Sequence, residues 1–213
     1  MSQLSYIHAN AKIGKGVTVE PFSTVYENVE IGDGTWIGPN VTIFPGARIG
    51  KNCKIFPGAV ISAIPQDLKF KGEETTAEIG DNCIIRECVT INRGTTDKMK
   101  TAIGNNCLIM AYAHVAHDCI LGNNIILANS VTLAGHVQIG AHSFLAGGSL
   151  VRKNVPPFTK AAREPLQYIG INSVGLRRRG YSNESVLEIE DIYRTLYVKG
   201  LNVVNALAVI EQE

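Results

Sequence analysis

IGNNCLIMAYAHVAHDCILGNNIILANSVTLAGHVQIGAHSFLAGGSLV, residues 103–151, carries an aliphatic side chain at every sixth position: Ile103, Ile109, Val115, Leu121, Leu127, Leu133, Ile139, Leu145 and Val151. A step of six suits neither an amphipathic helix, whose apolar face recurs every three or four residues, nor a plain alternating strand. It is the mark of a parallel β-helix assembled from hexapeptides. Outward from this stretch the same ruler marks Ile7, Ile13, Val19, Val25, Ile31, Ile37, Ile43, Ile49, Ile55 and Ile61, and it returns at Ile79, Ile85 and Ile91, giving 22 positions in register.

The neighbouring positions agree. Two residues before the aliphatic stands a small or β-branched side chain, as at Ala47, Cys53, Ala59, Ala77, Cys83, Val89, Cys107, Ala113, Cys119 and Val131. One residue after it, glycine recurs at Gly14, Gly32, Gly38, Gly50, Gly80, Gly104, Gly122 and Gly140, where a tight corner is expected to need a permissive backbone. Aliphatics therefore line a dry axis with small residues beside them. The pattern resembles the left-handed hexapeptide β-helix, in which three hexapeptides close one triangular coil of about 18 residues. The expected fold is mainly β: a left-handed parallel β-helix of about seven coils over residues 1–153, then a small C-terminal α-helical region. Prisms of this kind associate as trimers, so sites between subunits are expected.

Two segments leave the ruler. Ser62 to Ala77 places Asp67 and Glu73 where aliphatics would stand and is expected to loop out, as is the short polar run from Arg93 to Lys100, expected to be mobile. After Val151 the pair Pro156–Pro157 is expected to end the ladder, and a basic connector (154–181) follows. From Ser182, a plausible N-cap, Val186, Leu187, Ile189, Ile192, Tyr193, Leu196 and Tyr197 recur at helical spacing. A second apolar helix is expected over Leu201 to Ile210, with a further one missing beyond it, so the helical region 182–213 reads as truncated.

Composition narrows the classes. With 213 residues, 45% hydrophobic and a net charge of +1, the chain suits one globular domain with an appendage. There is no signal-peptide pattern and no apolar run long enough to span a membrane, so a cytoplasmic protein without membrane insertion is expected. Five cysteines without a C-x-x-C pair argue against a disulfide framework.

Chemistry concentrates in AHVAHDC (113–119) and LAGHV (133–137). Positions 18 apart stack, which puts Gly135 over His117 with His136 beside it. A histidine next to a backbone N–H unobstructed by a side chain is the minimum apparatus for acyl transfer to a hydroxyl. The competing reading is zinc held by His114, His117, His136 and His142, as in trimeric prisms of the γ-carbonic anhydrase type. Against it, His136 and His142 fall in successive hexapeptides and hence on different faces.

The strings QDLKFKGE (66–73), IRECVTINRGT (85–95), AHVAHDC, NSVTLAGHV (129–137) and GINSVGLRRRGY (170–181) resemble the acyl-carrier-protein-dependent UDP-N-acetylglucosamine O-acyltransferase family of lipid A biosynthesis, over nearly the whole chain. The resemblance implies that His117 is the general base for the glucosamine 3-hydroxyl attacking the thioester of an (R)-3-hydroxyacyl chain, that Asp118 supports it, and that Gly135 N–H holds the oxyanion. It implies that Asp67, Lys69, His114 and His136 approach the sugar and its phosphates, that Asn172, Arg178 and Arg179 lie toward the nucleotide, and that Gly148 bears on acyl length. It further implies a homotrimer with intersubunit sites, acyl carrier protein as donor, and no metal or other cofactor. Between Arg152 and Arg179 seven cations face Glu164 alone, a patch that would steer an acidic carrier protein. Only Phe158 and Tyr168 fall in that run, short of the repeated aromatics of a single-strand nucleic-acid binder, so no nucleic-acid partner is expected.

Two departures stand out. Val174 replaces the family's glutamate, and the coil that normally precedes AHSFLAGGSLVRKNVPP is absent, which would shorten the acyl groove by about 4.8 Å. Three classes remain: the acyltransferase, a zinc-dependent hydrase, and a scaffold that binds carrier protein or nucleotide without turnover.

Overall fold

A computed structural model describes residues 4–211. Short parallel strands stack into three sheets that form the faces of a triangular prism. The first sheet has 8 strands from Tyr6–Ile7 to Leu150–Val151, the second 7 from Lys12–Ile13 to Gln138–Ile139, and the third 9 from Thr18–Val19 through Phe144–Leu145 to the closing hairpin. Up to Val151, ruler residues pair with ruler residues, as in Val25↔Ile43, Ile91↔Val115 and Val115↔Leu133. Their side chains fill the axis: Ile37, Ile43, Ile55, Ile61, Ile85, Ile91, Ile109, Leu127, Leu133 and Leu145 are fully buried. Each such side chain contributes about 1.5–3 kcal/mol by leaving water, which is why the column tolerates no polar substitute.

The glycines after the ruler have a different cause from the one expected. Gly14, Gly32, Gly50, Gly80, Gly104, Gly122 and Gly140 form one column where the second sheet turns into the third, and none has a left-handed backbone. Close approach of successive coils demands them: a Cβ on Gly32 would stand 2.7 Å from the Gly50 carbonyl carbon, and one on Gly104 2.7 Å from that of Gly122. The left-handed corner lies two residues further on, at Gly16 and Gly34, at Asn52, Asn82, Asn106 and Asn124 with φ between 55° and 60°, and at His142. Asparagine is the side chain that best tolerates that conformation. The small inward cysteines donate to the next coil, Cys53 Sγ to Gly80 O and Cys83 Sγ to Gly104 O at 3.1 Å. Coupling to the neighbouring thiol and burial hold Cys53 far above the ordinary thiol range and push Cys83 up to about 12.

Both interruptions are insertions of whole hexapeptides. Partners that are 18 apart in the other coils up to Val151 are 30 apart across the first (Val60↔Thr90) and 24 apart across the second (Thr90↔His114), so the ruler keeps phase through both. Both leave the prism on the same edge, between a first-sheet strand and the next second-sheet strand: Val60–Ala63 to Thr76–Ile79, then Thr90–Asn92 to Lys100–Ile103.

The ladder also continues past the proline pair, contrary to expectation. Val155 bridges in parallel to Ile139, and Thr159–Ala162 pairs in parallel with the third sheet as Phe144↔Lys160 and Leu145↔Ala161. The prolines occupy a corner between these strands, where no ladder donor is needed. The segment read as a connector then folds back antiparallel as Gln167–Ile171 and enters helix α1 (Ser173–Arg178). Helix α2 runs over Asn183–Tyr197 with Ser182 as its N-cap, the hydroxyl accepting Ser185 N–H, and α3 over Val203–Ile210 is capped by Asn202. Leu176, Val186 and Tyr193 make a second, smaller core with Ile171, and the Tyr193 hydroxyl donates to Pro157 O at 2.6 Å, fastening α2 to the prism. Residues 212–213 of the expected helical region lie outside the described residues. No helix among the described residues is long and apolar enough to cross a membrane.

Candidate active site

The edge that carries both insertions also carries His117 and His136. His117–Asp118 is the corner between strands His114–Val115 and Ile120–Leu121, and Gly135–His136 is the corner one coil above, between Thr132–Leu133 and Gln138–Ile139. Adjacent strand residues would point to opposite sides, but these two occupy a turn, and Asp118 has φ 59°. The turn swings its carboxylate alongside the imidazole, so that His117 Nδ1–H donates to Asp118 Oδ2 at 2.8 Å.

Asp118 is wholly buried, and the second insertion supplies what a buried carboxylate needs. Thr95 donates its N–H to Oδ1 at 3.0 Å and its hydroxyl to Oδ2 at 2.6 Å, and Lys98 N–H donates to Oδ1 at 3.2 Å. Burial opposes the charge, yet the donors from Thr95, His117 and Lys98 outweigh it and hold the carboxyl below its ordinary range. The loop expected to be mobile is thus fastened to the site. Lys98 Nζ also reaches the carbonyls of Asp118 and His136 at 3.0 and 3.3 Å, stitching two coils together.

Gly135 presses on the imidazole. A Cβ there would lie 2.8 Å from both Cε1 and Nε2 of His117, so only glycine leaves the ring in place. Among the described residues, no hydrogen bond from Gly135 N–H to a protein acceptor is present. The His136 ring stands perpendicular to that of His117, centroids 5.0 Å apart, with its Nδ1 3.0 Å from Asp97 Oδ2. His114, one strand before the corner, pairs through Nδ1 with Thr90 Oγ1 at 2.7 Å, and burial, then the neighbouring His117, lower its pKa. A base oriented by a buried carboxylate, beside an unengaged N–H donor, is equipped for proton transfer with oxyanion stabilisation.

The other candidate residues fall elsewhere on the chain. Asp67 and Lys69 share the edge but sit in the lower insertion, where the Asp67 carboxylate accepts Lys69 N–H at 2.9 Å. Asn172 caps α1 and donates to His142 O at 2.9 Å, which places it with Arg178 and Arg179 by the edge between the second and third sheets. A cavity of about 320 Å³ there is lined by Ile126, Phe144, Lys160, Asn172, Val174 and Arg178. Gly148 forms a corner on the remaining edge, with φ 71° and open space where a Cβ would stand. The chain therefore brings His114, His117, Asp118, Gly135 and His136 together and leaves Asn172, Arg178, Arg179 and Gly148 apart from them.

The four-histidine zinc set does not assemble. His142 stacks on Phe158 and meets Tyr181 edge-on at another edge, and among the described residues the cluster with metal-ligand spacing is His117, Asp118 and His136, whose carboxylate is already shared among Thr95, Lys98 and His117. Thr95, Asp97, Lys98 and Thr101, which donates no side-chain bond here but accepts Asp118 N–H at 2.9 Å, were not singled out from sequence; the one cue was a polar insertion of hexapeptide length just ahead of AHVAHDC.

Comparison with known proteins bears on the same residues. Residues 154–213 match the model described as UDP-N-acetylglucosamine O-acyltransferase, domain 2, and 10–45, 28–63 and 100–135 match the bacterial transferase hexapeptide repeat. The acyl-[acyl-carrier-protein]–UDP-N-acetylglucosamine O-acyltransferase of Trichlorobacter lovleyi is 40% identical over 97% of this chain and 88% of its own. Its alignment runs over 229 residues against the 213 of this chain, so it carries at least 16 residues that this chain lacks within the matched span. Among solved structures, the UDP-N-acetylglucosamine acyltransferase of Bacteroides fragilis 9343 is 49% identical with a TM-score of 0.89, covering 100% of this chain and 91% of that one. The Acinetobacter baumannii structure is 37% identical with a TM-score of 0.88, covering 100% and 90%.

Proposed function

The chain belongs to the acyl-[acyl-carrier-protein]–UDP-N-acetylglucosamine O-acyltransferase family, and from that premise we propose how its residues carry the reaction. His117 Nε2 takes the proton of the glucosamine 3-hydroxyl as that oxygen attacks the thioester carbonyl of an (R)-3-hydroxyacyl chain. The carbonyl oxygen gathers negative charge as the tetrahedral intermediate forms, and Gly135 N–H donates to it. Collapse re-forms the carbonyl, breaks the C–S bond and expels the carrier's thiolate, which recovers the proton from His117 Nε2. Asp118 keeps the Nδ1 proton in place throughout, fixing the tautomer whose Nε2 is basic. The observation that carries this reading is the 2.8 Å bond from His117 Nδ1 to a carboxylate without solvent exposure, directly beneath Gly135.

The partition of the candidate residues over three prism edges supports a second element of the proposal. His117 and His136 on one edge and Asn172, Arg178 and Arg179 by another can contact one sugar nucleotide only if a neighbouring subunit supplies the second set. We therefore propose a homotrimer with the site between subunits, working in the cytoplasm. The cations from Arg152 to Arg179 form the approach for an acidic acyl carrier protein, although Arg152 is partly neutralised by Glu164 at 2.8 Å. The zinc-dependent hydrase is not favoured, because the relatives are acyltransferases and the four histidines do not converge.

Release of carrier thiol from (R)-3-hydroxyacyl carrier proteins in the presence of UDP-N-acetylglucosamine is the test. Removing a positioned general base costs roughly 10²–10⁴-fold, so His117→Ala is expected to lose at least about a hundredfold in turnover while keeping the same mass by light scattering. Full activity in that variant would eliminate His117 as the base. Binding of both substrates with no turnover by the wild-type chain would support the scaffold instead.

A further inference from the structure

The site contains two hydrogen-bonded histidine–carboxylate pairs, and His136 Nδ1 also lies 3.9 Å from Asp118 Oδ2. Beside His117–Asp118 stands His136–Asp97, with Nδ1 to Oδ2 at 3.0 Å, and the two rings meet at 90°. The pairs differ in setting. Asp118 is buried, whereas His136 and Asp97 are 50% and 58% exposed, and an ion pair so open to water adds little to folding stability. Its consequence is therefore to be sought in geometry. A carboxylate only accepts hydrogen bonds, so Asp97 requires the hydrogen of the imidazole on Nδ1 and leaves Nε2 as the nitrogen available to a ligand. It also stops the ring from turning about its Cβ–Cγ bond.

Asp97 is itself held. It lies between Thr95, anchored to Asp118, and Lys98, whose ammonium bridges the carbonyls of Asp118 and His136. The Thr95 hydroxyl also accepts Asp97 N–H at 3.3 Å. Contacts from Thr95, Asp97 and Lys98 of one hexapeptide-length insertion thus reach both coils of the site.

We propose that Asp97 is a positioning residue for His136, fixing its Nδ1–H tautomer and ring orientation so that Nε2 is presented to a polar group of the sugar nucleotide beside the His117 base. The proposal rests on the reading of this edge as the acyl-transfer site. Lys98 and Thr95 serve it by fixing the loop.

The test compares Asp97→Ala, which removes the acceptor, with Asp97→Asn, whose amide oxygen still accepts from Nδ1–H. With UDP-N-acetylglucosamine and an (R)-3-hydroxyacyl carrier protein, Asp97→Ala is expected to raise KM for the nucleotide sugar about 10-fold or more, the worth of one charge-assisted hydrogen bond. Turnover at saturation should stay within about threefold, as for a binding group lost equally from ground and transition states. Asp97→Asn is expected to restore KM. Long-range ¹H–¹⁵N spectra of histidine-labelled protein should show the Nδ1–H tautomer of His136 in wild type and Asp97→Asn, and a gain of Nε2–H in Asp97→Ala. Unchanged KM in Asp97→Ala, failure of Asp97→Asn to restore it, or an Nε2–H tautomer in the wild type would each overturn the proposal. A wild-type chain without turnover would instead remove the acyl-transfer reading, and the tautomer spectra would still decide the role of Asp97.

Discussion

Replacing Gly135 by alanine adds one methyl group and tests the arrangement of base and oxyanion donor. The new Cβ would begin 2.8 Å from Cε1 and Nε2 of His117, where ordinary contact starts at 3.4 Å. The backbone at Gly135 is outside the left-handed region, so the methyl itself is tolerated and the ring must yield by about 0.6 Å. That displacement is comparable to the slack in the 2.8 Å bond to Asp118, and lengthening it weakens the hold on the tautomer. A misplacement near 1 Å at a reacting group costs about a hundredfold. The expected fall in kcat is therefore about 30- to 100-fold, equivalent to about 2–2.7 kcal/mol of barrier. Stability should change little: alanine restricts the unfolded chain by about 0.4–1 kcal/mol in favour of folding, which offsets part of the weakened histidine bond. Steady-state thiol release and a thermal melt on the same preparation measure both quantities. Turnover within threefold of wild type would refute the packing of Gly135 on His117 as a determinant of the reaction.

Gly122→Ala is the contrasting case. Its Cβ would meet Ala141 backbone nitrogen at the same 2.8 Å, but backbone in the coil above cannot rotate aside, so the expected result is a loss of about 2 kcal/mol or more and a lower melting temperature, read by calorimetry, with kcat of the folded fraction unchanged. The Asp118 carboxyl, whose pKa is lowered on folding, contributes stability that is present above its ordinary value of 3.8 and is lost as pH falls through the lower folded value. Thr95→Val removes one donor to it, so at pH 7 the variant should be less stable by about 1.5–3 kcal/mol, and the gap to wild type should narrow in melts as pH falls from the ordinary carboxyl value through the lower folded one, below which the carboxyl is protonated in both states; a gap independent of pH would show that Thr95 acts without the charge of Asp118.

How much of this was legible in the sequence varies with the physics involved. The axis was fully legible, because a dry column of stacked aliphatics admits no exception, and Ile7 to Ile61 keeps step without a miss. The glycine column was visible but assigned to the wrong cause. A glycine required by a left-handed corner and one required by close approach look alike in a string, and only the coil above Gly32 or Gly104 distinguishes them. The proline pair misled for a related reason: its incompatibility with a ladder is real, yet Pro156 and Pro157 fall at a corner, and Val155 and Ala161 on either side still pair.

The stacking of Gly135 over His117 followed from the 18-residue period alone, because neither insertion intervenes between those coils. Counting residues inside the insertions would have shown that Gly50 to Gly80 and Gly80 to Gly104 exceed one coil by two hexapeptides and one, and hence that both loops leave on the edge of His117. What period and motif could not supply is the direction of a side chain in a turn. Asp118 meets His117 because its φ of 59° bends the chain between them, and Thr95, Asp97 and Lys98 reach the site because an insertion of six residues folds back over the edge from which it came. Those contacts depend on loop closure and local hydrogen bonding, which leave no periodic trace; a scaffold this regular concentrates its function where its regularity is broken.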